Sequence, residues 1–168
     1  HDALSYSNQA GLGAAIGDAV AAGEVSRAEI FMMSMVPKYL MGYNETIAAV
    51  EASLGQLNVS YLDLVMLHHR AADAGEWPRV VSSMVAFPDN LLYSDNPLNN
   101  RTTGMASWLP PPCAVQDSSW VTCQDESWRA LSELKARGKV RAIGVSNWLV
   151  RNLERMSKLG MELPAVNQ

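Results

Sequence analysis

Apolar residues recur along the chain at helical spacing, then at strand spacing, in strict alternation, and that order leaves few folds open. From Ala10 to Ala22, Leu12, Ala15, Ile16, Ala19 and Val20 fall at steps of three and four, so one stripe of a helix faces a core; Gly23 stops it. Ile30-Phe31-Met32-Met33 is a short apolar run closed by Pro37, too short for a helix and consistent with a strand buried on both faces. Ile47, Val50, Leu54 and Leu57 mark a second amphipathic helix with Asn44 as its cap, and Tyr61 to Leu67 forms a second strand ending at His68. A third helix, Glu126 to Arg137, carries Trp128, Leu131 and Leu134 on one face, with Asp125 as its cap and Gly138 as its stop. There follow a strand from Ala142 to Val145, a helix capped by Asn147 that presents Leu149, Leu153, Met156 and Leu159, and a last strand from Ala165 to Asn167.

Alternation with short connections implies a parallel sheet, because each helix is the crossover that parallel strands require. Periodicity alone leaves the sheet open or closed. His68, Ser146-Asn147 and Gln168 fall at the carboxyl ends of successive strands, and that favours a closed α/β barrel of the TIM type, whose site is built from its βα loops. The chain starts at His1 and stops at Gln168 straight after the apolar run Leu163 to Val166. It therefore reads as an internal piece, residues 1–168 of an incomplete barrel lacking the first strand and the last two. Between His68 and Asp125 the pattern lapses, and six of the eight prolines lie there. This stretch is far longer than an ordinary connection and reads as an insertion at 69–125, a substrate wall or a variable surface loop, with one short helix from Glu76 to Val85.

A formal charge of -4, with Lys and Arg scattered rather than clustered, gives no basic face for a polyanion, so nucleic acid is not an expected partner. No apolar stretch approaches the roughly 20 residues of a membrane span, and a soluble, cytoplasmic protein is the expectation. Cys113 and Cys123 have neither the close spacing nor the histidine partners of a zinc site; they read as free thiols, with a local disulfide as the alternative. The three sequons at Asn44, Asn58 and Asn100 carry little weight, since about one is due to chance and Asn44 and Asn58 flank the second helix. His68 and His69 also make a poor metal site, since adjacent strand residues point to opposite faces and His1 is the only other histidine.

Several segments, in order, resemble the aldo-keto reductase family: Tyr6-Ser7-Asn8-Gln9 with Leu12-Gly13; Ser26 to Phe31; Glu51-x-Ser53-Leu54; Tyr61-Leu62-Asp63-Leu64 with His68; Trp128-x-Ala130-Leu131; Gly138 to Asn147; and Pro164 to Gln168. They cover nearly all of the chain outside the insertion. The resemblance implies a (β/α)8 barrel that reduces aldehydes and ketones with NADPH. Hydride reaches the carbonyl carbon while a tyrosine hydroxyl supplies the proton, and since a free tyrosine has a pKa near 10, a neighbouring cation is needed to lower it.

Carried over by the resemblance, Tyr6 is the proton donor and His68 orients the carbonyl. Ser146, Asn147 and Gln168 hold the nicotinamide carboxamide, which needs both donors and acceptors. Two positions depart from the family pattern. The family lysine follows directly on the segment matched by Ile30 to Ser34, where this chain has Met35; Lys38 lies three residues beyond, past Pro37. The family aspartate lies five residues before the tyrosine, at His1, while Asp2 lies four before and takes the role if the alignment slips by one. Met35 motivates an alternative reading, a barrel that binds nucleotide without turning it over.

Overall fold

The computed structural model describes residues 4–6, 8–69 and 120–168. Asp2, Cys113, Asn100 and the expected helix from Glu76 to Val85 lie outside them. The elements in chain order are α1 (Gln9–Ala21), β1 (Met33–Val36), α2 (Tyr43–Leu57), β2 (Leu62–Leu67), α3 (Trp120–Ala136), β3 (Val140–Val145) and α4 (Val150–Lys158), with single 3-10 turns at Leu4–Tyr6, Arg27–Glu29 and Lys38–Leu40.

The strands form a parallel sheet in the order β1-β2-β3, in a register that sets Met35 beside Met66 and Met66 beside Gly144. All six residues of β2 are buried, as a central strand of a two-faced sheet requires. One face, with Val36, Val65, Leu67, Ile143 and Val145, packs with Leu54 and Leu57 of α2 and Trp128, Leu131 and Leu134 of α3 into the main core. Met33, Met35, Leu64, Met66 and Ala142 make a separate apolar cluster. Gly144 belongs beside it, because a Cβ there would stand 3.1 Å from the Met66 side chain and 3.0 Å from the Val166 carbonyl oxygen.

At the amino ends of the strands, Asp63 ties the sheet together. Its carboxylate accepts from the Met32 amide (2.9 Å), Arg27 (3.0 Å) and Arg141 (2.9 Å). The two guanidinium groups also lie over the Tyr61 ring, at 4.0 and 4.1 Å from its centroid. Burial works against the charge on Asp63, yet the Met32 amide and the two arginines outweigh it and lower its pKa.

Several boundaries differ from expectation. The first strand starts at Met33 rather than Ile30, because Met32 exchanges main-chain and side-chain hydrogen bonds with Asp63 and the regular ladder begins beyond it; Phe31 is 66% exposed. Helix α2 is capped by Gly42, not Asn44: the Gly42 carbonyl accepts from the Thr46 amide, and its φ of 123° suits glycine. Helix α3 begins at Trp120, so Asp125 lies inside it and makes a two-pronged ion pair with Arg155 of α4 (2.6 and 2.7 Å) instead of capping. The expected last strand is reduced to one bridge, Val145 to Asn167. Cys123 is fully buried and held in a disulfide, so the free-thiol expectation fails at this residue. No helix among the described residues is long and apolar enough to cross a membrane.

Candidate active site

The carboxyl ends of the strands bring together most of the residues singled out in the sequence. Where β2 ends, the His68 amide donates to the Val36 carbonyl at the end of β1 (2.9 Å). One residue beyond β3, the Ser146 amide donates to the Leu67 carbonyl (2.9 Å). The Asn147 amide donates to the Gln168 carbonyl (2.9 Å), and the Gln168 amide to the Val145 carbonyl (3.0 Å). The parallel ladder thus carries His68, Ser146, Asn147 and Gln168 to one rim.

Asn147 is not a helix cap. Its φ of 61° is left-handed, a region asparagine tolerates better than most residues. There its side-chain amide donates to the His68 carbonyl and to the Ser146 hydroxyl, both at 2.9 Å. The start of α4 is served instead by Asn152, whose side-chain oxygen accepts from the Leu149 amide (3.1 Å). Ser146 is buried, whereas Asn147 and Gln168 are exposed.

Tyr6 reaches this rim from the turn that precedes α1. Its hydroxyl lies 3.5 Å from His68 Nε2, a long contact in which either group can donate, and the rings meet edge to face with centroids 5.8 Å apart. The buried Gln9 fixes the start of α1 to β1 by donating to the Ser34 hydroxyl (2.8 Å). Alternation along β1 turns the next residue, Met35, to the other face, where it is 3% exposed in the cluster of Leu64 and Met66. An apolar side chain therefore fills the place where the family resemblance expects a cation.

His69 departs from the sequence reading. Because β2 stops at Leu67, strand alternation no longer applies, and the His69 ring stacks on His68 with centroids 4.6 Å apart at 19°. Burial, and then the charge of Lys38, lower the pKa of His68. His69 is pushed down to about 4 by burial first, then by His68 and Lys38. Lys38 thus acts on both rings from the turn that follows β1. No group of three histidine, cysteine or acidic side chains suited to a metal occurs among the described residues.

The described residues thus define an α/β protein with a parallel sheet, whose carboxyl rim gathers a tyrosine, a histidine and a set of amide groups. Residues 3–168 match the family model described as the aldo/keto reductase family, and the chain belongs to that family. Among similar proteins, a glyoxal reductase of Bacillus subtilis is 31% identical over 166 residues, 99% of this chain and 41% of that protein. An uncharacterized oxidoreductase of the same organism is 29% identical over 166 residues, 99% of this chain and 42% of its own length. The chain spans about two fifths of these relatives. The crystal structure of an aldo/keto reductase from Brucella melitensis superposes with a TM-score of 0.63 at 26% identity, over 99% of this chain and 45% of that one. The fold is accordingly part of a (β/α)8 barrel.

Proposed function

We propose that this chain carries the acid-base and nicotinamide-contacting part of a reductase that converts aldehydes or ketones to alcohols with NADPH. The observation that carries the reading is the Tyr6–His68 pair, 3.5 Å apart, on the same rim as Ser146, Asn147 and Gln168. A structure of a silkworm aldo-keto reductase, alike in fold with a TM-score of 0.65, is described as a complex with NADP, which supports the choice of cofactor. The residues present fit one end of that cofactor: two exposed amides and a buried hydroxyl offer the donors and acceptors a carboxamide needs. When bound, NADPH supplies the hydride.

The rest of the chemistry belongs to the chain. His68, whose burial favours the neutral ring, donates a hydrogen bond to the substrate carbonyl and orients it. Tyr6, half exposed beside it, delivers its proton to the oxygen as the carbonyl is reduced. Asp2, which takes the place of the family aspartate if the alignment slips by one residue, remains part of the proposal on resemblance alone. In the full-length protein, Tyr6→Phe is expected to lower kcat by about 100-fold or more while NADPH still quenches tryptophan fluorescence. Unchanged kcat would remove Tyr6 from the role.

The burial of Met35 among Leu64 and Met66 favours a second reading, a barrel that binds NADPH without turnover. Met35→Lys decides between them. Under the second reading the wild-type protein is silent with a panel of aldehydes, and the lysine variant gains measurable NADPH oxidation.

A further inference from the structure

The backbone of His68 is held on both sides, by the Val36 carbonyl and by the Asn147 side chain, but neither bond restrains the imidazole. The ring turns about two side-chain torsions, the second of them broad. Two aromatic contacts surround it among the described residues: Tyr6 meets its edge and His69 covers its face. His69 itself lies half buried at the end of β2, on the same rim.

We infer that His69 is a positioning residue for His68: stacked flat against it, it keeps the His68 ring edge-on to Tyr6 and so keeps Nε2 beside the phenol hydroxyl. The inference rests on the reading of Tyr6 and His68 as the acid-base pair. Flat stacking requires that the two rings not both be charged, since two cations at that spacing repel. The environment meets that requirement. Tyr6 and Lys38 are the titratable or charged groups about the pair among the described residues, and Lys38 opposes a proton on either ring. His69 is needed for its flat, neutral face rather than for proton transfer, so phenylalanine serves in its place.

The test uses the full-length protein, NADPH and benzaldehyde. His69→Ala is expected to lower kcat about tenfold with the affinity for NADPH unchanged, and His69→Phe to stay within about threefold of wild type with the same pH profile. An alanine variant as fast as wild type would overturn the inference, as would a phenylalanine variant as slow as alanine. Should the alanine variant fail to fold, His69→Leu, which fills the space without a flat ring, takes its place and is expected to be slow. The nuclear Overhauser contact between the Tyr6 and His68 rings gives a readout independent of turnover. It should persist in His69→Phe and weaken in His69→Ala. If the wild-type protein reduces no carbonyl, the reductase reading falls, and this contact alone decides the role of His69: equal intensity in the alanine variant sinks it.

Discussion

Protonation of the two stacked histidines links the site to stability. Both rings are harder to protonate in the folded protein than in the unfolded chain, where a histidine titrates near 6.5. Below that pH the unfolded state binds more protons, so stability is complete above about 6.5 and falls as pH drops toward about 4, where folded His69 too becomes charged. The urea midpoint of the full-length protein is therefore expected to be lower at about pH 5 than at about pH 7.5, with a smaller difference in His69→Phe. An equal difference in the two proteins would mean that His69 is not held neutral. The same two residues show why single positions were hard to read in the sequence. Alternation places neighbours on opposite faces only while the strand lasts, and it ends one residue before His68.

Helices α1 and α2 meet at a glycine. A Cβ on Gly13 would stand 2.7 Å from the Leu57 carbonyl oxygen and 2.8 Å from that of Gln56, backbone atoms that cannot swing aside. Gly13→Ala is expected to cost about 1–3 kcal/mol, while Gly17→Ala, one turn on with open space around it, should stabilise by about 0.5–1 kcal/mol. Equal shifts in urea denaturation would show that the two helices are not in such close contact. The order of helices and strands was legible because burial imposes periods of 3.6 and 2 on the residues themselves, as in Ile47, Val50, Leu54 and Leu57. Their ends were not. Asn44, Asp125 and Asn147 all have the chemistry of caps, but an aspartate serves equally well in an ion pair, as Asp125 does with Arg155, and an asparagine can donate to a distant carbonyl, as Asn147 does to that of His68; only the neighbours brought by the fold decide. That Ser146, Asn147 and Gln168 share a rim was legible because they follow apolar strand runs, while their nicotinamide-contacting role rests on family resemblance alone; Met35 facing Leu64 and Met66 follows from alternation along β1.

At the scale of the molecule, the described sheet leaves β1 with β2 as its one neighbour, and large apolar side chains such as Phe31, Val150 and Leu163 stand more than half exposed. A chain spanning about two fifths of its relatives has strand edges and helix faces that a closed barrel would cover. The 168-residue polypeptide by itself is expected to melt without a cooperative transition, and a sharp calorimetric peak would contradict this. The clamp around Asp63 matters at this scale too. Sliding β2 by one residue against its neighbours would put Leu67 at the height now held by His68 and send each side chain of the strand to the wrong face. That slip would break the three hydrogen bonds to the Asp63 carboxylate together, two of them with cationic partners. The rim that holds Asp63 thereby levels the one that holds His68, like a footing that fixes the height of a lintel.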